Sequence, residues 1–241
     1  MKPCITLAII CFSLNIFSQN ITSKELLQNT IKYHDPNGNW QSFNDEFTVV
    51  MTTPKSSDRK SVISINLAQE YFGVTATKDT ITTTYILDKD QCKMSYNGKV
   101  LDSIAAKEKK MTCNRAQLYK NYYTYLYGLP MKLQDAGTNL SDKVEKKTFK
   151  GKDYLVLKVT YDEAVGSDVW YFYFNPETYA MEIYQFFKTD ENGKEKSDTG
   201  EYILLSQEAI VNKIKMPKIR AWYYNKDNKY LGTDTLKLNT D

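Results

Sequence analysis

Short runs of alternating residues, separated by turn residues, constrain the fold of this chain more than any other feature. In the segment 59–67, Ile63, Ile65 and Leu67 fall on one face, because side chains along a strand alternate between two faces. A later run ends at Asn97-Gly98, a strong hairpin turn signal. Such closely spaced segments predict an antiparallel meander. The predicted strands are 43–53, 59–67, 69–77, 80–88, 91–96, 144–149, 154–161, 168–174, 180–188, 201–206, 215–224 and 230–238.

Two helical regions interrupt the strands. The first begins with Ser23 as its predicted N-cap and stops before the turn residues 35–38. The second covers 103–110 and 114–127 and ends at the Gly128 to Pro130 stop signal. The expected fold is therefore mainly β (α+β). It is a large curved antiparallel sheet or half-barrel of about ten to twelve strands, with helices covering its concave face.

The N-terminus has the parts of a secretory signal peptide. Lys2 precedes an apolar stretch from Ile5 to Phe17, and the small residue Ser18 follows. The alternative is a membrane anchor, but this stretch is shorter than the roughly 20 residues that a spanning helix needs. Cys4 and Cys11 do not form a lipid-attachment site, because bulky residues precede Cys11. We therefore expect a signal peptide at 1–19 and one soluble domain at 20–241.

Two cysteines remain after removal of the signal peptide, Cys92 and Cys113. In an exported chain they most simply form one disulfide, and the alternative is a pair of buried free thiols.

The charge and the residue types exclude several classes of site. The formal net charge of +3 falls by one when Lys2 is removed, and the remaining charges are interspersed, so no basic stripe for nucleic acid is present. The single histidine, His34, leaves too little for a transition-metal centre or a catalytic triad, and we interpret it as a helix-terminal residue that favours the helix dipole. The turn at Asp35 lacks the distal glutamate of a calcium loop. No catalytic residue, metal or cofactor is predicted.

The aromatic residues are the remaining signal, with 19 tyrosines in the chain. Along 170–174, alternation sends the even-numbered side chains to one face and Tyr171 and Tyr173 to the other. One interpretation is plain packing under a helix. The other is an apolar cavity between this strand and the tyrosine-rich helix. Its predicted lining is Tyr122, Tyr125, Leu126, Trp170, Phe172 and Phe174.

Several segments resemble known families. The aromatic hairpin from Trp170 to Tyr184 and the segment from Asn212 to Ile219 resemble LolA-like outer-membrane lipoprotein-sorting proteins. The resemblance implies an incomplete barrel that holds acyl chains under a helical lid. No lid-holding arginine is carried over, since no flanking motif supports Arg59.

A closer resemblance covers nearly the whole mature chain. The segments from Tyr33 to Trp40 and from Asn121 to Met131, with the Trp170 segment, resemble the DUF6503 family of exported Bacteroidetes-type proteins. That resemblance implies a location in the periplasm or outer envelope of a Gram-negative bacterium and implies no activity.

Three hypotheses follow for the function. The first is a non-enzymatic, monomeric periplasmic binder or carrier of an apolar ligand, either a lipid or a lipidated partner. The second is an envelope interaction module that uses exposed Tyr and Trp surfaces. The third is a carboxylate-dependent hydrolase, which requires two acidic residues converging in a cleft.

Overall fold

The computed structural model describes residues 21–238, so the predicted signal peptide lies outside the described residues. Within this range the chain forms three α-helices and one sheet of fourteen strands. The helices are α1 (Ser23–His34), α2 (Ser103–Glu108) and α3 (Cys113–Gly128). The strands are β1 (Asn44–Thr53), β2 (Ser56–Asn66), β3 (Tyr71–Lys78), β4 (Ile81–Asp88), β5 (Gln91–Tyr96), β6 (Lys99–Val100), β7 (Thr138–Leu140), β8 (Glu145–Phe149), β9 (Lys152–Tyr161), β10 (Val169–Phe174), β11 (Met181–Phe187), β12 (Glu201–Val211), β13 (Ile214–Tyr224) and β14 (Tyr230–Lys237).

The sheet is an open antiparallel meander that starts and finishes at its centre. The spatial order is β6-β5-β4-β3-β2-β1-β14-β13-β12-β11-β10-β9-β7, with β8 paired to the same edge of β9. The chain therefore runs outward from β1 to one edge, and α2 and α3 carry it to the opposite edge. From there it runs inward until β14 pairs with β1. The predicted class, mainly β with a large antiparallel sheet, is confirmed.

The strand count is higher than the predicted ten to twelve. The two additional strands, β6 and β7, have two and three residues, which is too short to show alternation in sequence. The strand predicted at 201–206 is also longer, because β12 continues to Val211 and pairs with the start of β13.

Helix α1 begins one residue earlier than predicted. Thr22, rather than Ser23, is the N-cap: its hydroxyl accepts a hydrogen bond from the Glu25 amide at 3.2 Å, and the Glu25 carboxylate accepts one from the Thr22 amide at 2.9 Å. A capping box needs a serine or threonine three residues before a glutamate or glutamine, and the residue three positions after Ser23 is Leu26. The Ser23 hydroxyl instead donates to the Ser141 carbonyl.

The last residue of α1, His34, ties the helix to the sheet. The His34 side chain is only 2% exposed, and its Nε2 accepts a hydrogen bond from the Met181 amide at 3.0 Å. Its Nδ1 therefore carries the proton and donates to the Lys215 carbonyl at 2.7 Å. His34 is the last residue of α1, as the interpretation required, but its ring adds no positive charge to the helix dipole. The ring is neutral, because burial lowers its pKa more than the Lys215 carbonyl raises it.

Because His34 is neutral in the folded protein, stability should fall on acidification. The unfolded chain binds a proton near pH 6.5 and the folded chain binds it at lower pH, so stability is lost as the pH falls below about 6.5. From pH 6.5 to pH 5 we expect the His34 contribution to fall by up to roughly 2 kcal/mol. Urea denaturation across this range should show a shallower pH dependence in His34→Gln. Parallel curves for both proteins would contradict this expectation.

One face of the sheet, called here the inner face, carries the main core. The side chains of α3 pack on it, as in the contact between Tyr127 and Phe47, whose ring centroids are 4.8 Å apart. Along β10, Phe172 and Phe174 are buried on the inner face, whereas Tyr173 lies in a small cluster on the outer face with Tyr154, Val156 and Ile183. The predicted alternation of β10 is therefore present. Among the described residues, no helix is long and apolar enough to cross a membrane.

Candidate functional site

Helix α3 crosses the inner face and is held at both ends. At its start, Cys113 forms the predicted disulfide with Cys92 on the edge strand β5, with Cα atoms 6.0 Å apart. The Thr112 hydroxyl caps the first turn by accepting from the Arg115 amide at 3.1 Å. At its end, Gly128 packs against Trp40 without room for a larger side chain.

A pocket of about 750 Å³ lies beside α3, at the far edge of the sheet from the disulfide. Its walls are one side of α3, the segment that precedes β7 and the loop between β9 and β10. The volume is within the range of small-molecule sites in proteins. The lining includes Tyr122, Tyr125, Lys132, Asp135, Asp168 and Trp170.

Aromatic rings form the inner wall of this pocket. The ring of Tyr125 meets Trp170 edge-on at 5.5 Å between centroids, and its hydroxyl is hydrogen-bonded to that of Tyr161. Trp170 in turn stacks on Phe186, its cross-strand partner, at 4.9 Å. Burial raises the pKa of Tyr161 to about 12 and the pKa of Tyr125 above its usual range, so both are neutral. The wall therefore combines apolar ring surface with uncharged hydroxyl groups.

The structure divides the six residues of the predicted lining into two groups. Tyr122, Tyr125 and Trp170 border the pocket. Leu126, Phe172 and Phe174 are buried in the main core and do not border it. The centre of the inner face is thus filled by side chains, and the open volume is displaced toward β9 and β10.

Charged groups lie at the rim of the pocket. Lys132 and Asp135 form an ion pair with each other. Burial raises the pKa of Asp168, and the nearby Lys188 opposes that rise. With two carboxylates and one ammonium group, the rim carries a small excess of negative charge.

Beneath α3, the inner face carries a row of charged residues that sequence reasoning missed. Arg59 and Asp234 are cross-strand partners of Met51, and Arg220 is the partner of Asp234. Direct partners in an antiparallel pair point to the same side, so the row reads positive, negative, positive. Alternation along β13 contained a signal, since Arg220 shares its face with Met216 and Trp222.

Arg220 is the most deeply placed member of this row, at 1% exposure. Its guanidinium carbon lies 3.9 Å from the centre of the Tyr127 ring. It donates to the Pro217 carbonyl at 2.8 Å and to the Leu126 carbonyl of α3 at 3.5 Å. Burial raises the pKa of Asp234, and Arg220 and the Trp222 indole, which donates to the carboxylate at 3.1 Å, oppose that rise.

Residues 21–238 contain no group of three or more metal-ligating side chains. The carboxylate of Asp35, considered above for calcium, accepts hydrogen bonds from the Asn39 and Trp40 amides, both at 2.8 Å. Its oxygens are thus occupied by the backbone of the following turn.

Comparison with known proteins gives the fold and the family. The chain is similar to a LolA superfamily protein from Nitrosomonas europaea, with a TM-score of 0.52 and 9% identity over 90% of this chain and 92% of that one. It is also similar to a DUF1329 family protein from Desulfovibrio piger, with a TM-score of 0.47 and 6% identity over 89% and 90% of the two chains. The first likeness shows a LolA-like fold. No curated protein matches. The family assignment rests on a sequence model that covers residues 2–239: the chain belongs to the DUF6503 family, a family of unknown function.

Proposed function

We propose that this protein is an exported, non-enzymatic binder or carrier of an apolar or amphiphilic ligand, held in the pocket beside α3. The observation that carries the proposal is the pocket of about 750 Å³ with Tyr122, Tyr125 and Trp170 on its wall. Apolar surface that remains open to solvent in an otherwise filled core indicates a binding site. Binding there would transfer ligand surface out of water at about 25 cal/mol per Å².

Two further observations support this proposal. The LolA-like fold belongs to a superfamily that includes lipoprotein-sorting proteins. The Cys92–Cys113 disulfide is typical of proteins that fold outside the cytosol, which agrees with export. In this proposal the apolar body of the ligand lies at the side of α3, because Leu126, Phe172 and Phe174 are buried below the helix and do not border the pocket.

The test uses protein recovered from the periplasm of an expression host. Intact mass spectrometry should show a chain that begins near residue 20, and the protein is then titrated with 1-N-phenylnaphthylamine, an uncharged apolar fluorophore. Gly166 borders the pocket, and a Cβ atom added there meets no atom within 4 Å, so we expect the ring in Gly166→Phe to occupy the open pocket without straining the core. We expect at least a tenfold loss of affinity, or about 1.4 kcal/mol.

Val100→Phe is the matched control, because Val100 is exposed on β6 at the opposite edge of the sheet. It should bind the fluorophore as the unaltered protein does. Absence of binding to the unaltered protein, or equal binding by Gly166→Phe, would contradict the proposal.

One observation favours a second candidate, the carboxylate-dependent hydrolase. Asp135 and Asp168 border the same pocket, and the pKa of Asp168 is raised by burial, as expected of a general acid. The ion pair between Asp135 and Lys132 weakens this candidate, since it occupies the second carboxylate. Turnover of an ester or glycoside by the unaltered protein, lost in Asp168→Asn, would favour it over a carrier.

A further inference from the structure

Arg220 is a buried cation without a carboxylate in contact. A buried guanidinium normally pairs with an acid, because leaving water costs a charged group several kcal/mol. Within residues 21–238 no carboxylate oxygen lies within 4.0 Å of its nitrogens, although Asp234 is its cross-strand partner. Its two terminal nitrogens donate hydrogen bonds to the backbone carbonyls of Pro217 and Leu126. These uncharged acceptors do not neutralise the positive charge of the guanidinium group.

Polar groups without hydrogen-bond partners occur beside this cation and along its row. Arg220 Nε, the Tyr127 and Tyr184 hydroxyls near it, and Arg59 Nε further along the row are buried and have no hydrogen-bond partner in the described part of the chain. Arginine nitrogens only donate, so the missing partner is an acceptor. A native structure rarely leaves several such groups unsatisfied in one place.

The net positive charge of the row favours an anion, rather than a neutral acceptor, as the missing hydrogen-bond partner. Arg220 and Arg59 outnumber Asp234, which lies between them in the row. Burial raises the pKa of Asp234, and Arg220, the Trp222 indole and Arg59 oppose that rise, so both arginines act on the same carboxyl group. Guanidinium groups bind carboxylates in a bidentate manner, which fits an anion placed beside Arg220.

Tyr122 connects this row to the pocket. Its side chain is 41% exposed and borders the open volume. Its pKa is raised mainly by burial and to a smaller degree by Asp234, Tyr184 and Tyr127, so Asp234 of the row is among the charges that act on its hydroxyl. The rim of the pocket, by contrast, carries Asp135 and Asp168 and disfavours an anion at the entrance.

We propose that the pocket ligand is a single-chain amphiphile with a carboxylate end, and that Arg220, with Arg59 and the Tyr127 hydroxyl, binds the carboxylate beneath α3 while the chain lies against Tyr125 and Trp170. This inference rests on the function proposed above and specifies the ligand class. A single chain is chosen because the volume of about 750 Å³ is that of a site for one small molecule. We expect the Tyr122 side chain, which borders the pocket, to move so that the carboxylate reaches Arg220.

The test compares dodecanoate with dodecanol by isothermal titration calorimetry on the complete mature protein. The two ligands share one apolar chain and differ in the charged end. We expect dodecanoate to bind at least tenfold more tightly than dodecanol. In Arg220→Gln this preference should disappear while dodecanol binding is retained, and in Tyr127→Phe it should fall a few-fold.

Arg115→Gln is the matched control, since Arg115 is an exposed arginine at the start of α3, away from the row, and it should keep the full preference. A cooperative thermal transition verifies that each variant is folded. If Arg220→Gln does not fold, Tyr127→Phe, which removes one oxygen, carries the test.

Each outcome decides between the two proposals. Equal binding of dodecanoate and dodecanol, or a preference that survives Arg220→Gln, overturns the carboxylate site and leaves the apolar carrier intact. Acetate binding as tightly as dodecanoate would mean a small-anion site and would also overturn this inference. Failure of both long-chain ligands, together with the fluorophore, overturns the carrier function itself.

Discussion

Replacing Gly128 with alanine should lower the free energy of unfolding by about 3 kcal/mol, the upper end of the usual cost of overpacking a core. A Cβ atom at this position would lie 2.6 Å from Cε2 of Trp40 and 2.7 Å from Cγ of Lys132. Trp40 is buried and packs against Phe43 with 5.1 Å between ring centroids, so its indole has little freedom to move away. The end of α3 would have to lift from the turn that follows α1.

Gly166→Ala is the matched control for this substitution. Gly166 does not have a positive φ, and an added Cβ meets nothing within 4 Å, so its stability should change by less than about 0.5 kcal/mol. Urea denaturation of both variants measures the difference. Equal midpoints for the two variants would show that the contact between Gly128 and Trp40 is not a tight one.

Removing the disulfide should have an effect of similar size. The bond closes a loop with a sequence separation of 21 residues, which stabilises a fold by about 3 kcal/mol in the chain-entropy model. We therefore expect the double variant Cys92→Ala/Cys113→Ala to unfold at a correspondingly lower urea concentration. The unaltered protein measured with a reducing agent should behave like the double variant. A loss below about 1 kcal/mol would mean that the unfolded chain is not restrained by this link.

The position of the disulfide predicts which part of the structure loses stability first when the bond is removed. Cys113 is the first residue of α3, and Cys92 lies on β5 near the sheet edge, where β6 offers a partner strand of two residues. Amide hydrogen exchange should therefore increase in the first turns of α3 and in β5 before it increases in β12 and β13, which lie inside the sheet. Uniform acceleration across the sheet would contradict a local role.

Local chemistry explains which parts of the fold were predictable. The alternation in 59–67 predicts β2 because strand periodicity is a property of neighbouring residues. Asn97-Gly98 predicts its hairpin because both residues adopt positive φ, 49° and 78°, which this pair tolerates. The N-cap was misplaced by one residue because Ser23 and Thr22 are both competent caps, and only the reach of Glu25 distinguishes them.

Non-local packing explains what was missed. The sequence showed His34 at a helix end, but its neutral state depends on Met181 and Lys215, which are distant in the chain. In the sequence, Arg220 is one charged residue among others in a predicted strand. Its burial arises because α3 lies over it, as its hydrogen bond to the Leu126 carbonyl shows.

The sequence by itself determined twelve of the fourteen described strands, their hairpins and the family, because each depends on local periodicity, turn chemistry or direct similarity. It limited a disulfide to the pair Cys92 and Cys113, and the structure decided that the two are bonded. The tertiary structure alone decided where the open volume lies. The path of α3 across the sheet buries Leu126, Phe172 and Phe174 and leaves Tyr122, Tyr125 and Trp170 at the pocket. Both groups consist of aromatic or apolar residues with the same periodicities, so the sequence pattern does not distinguish one group from the other. Only the angle and depth at which a helix packs on a sheet separates a core residue from a lining residue, and that geometry is set by contacts between distant parts of the chain.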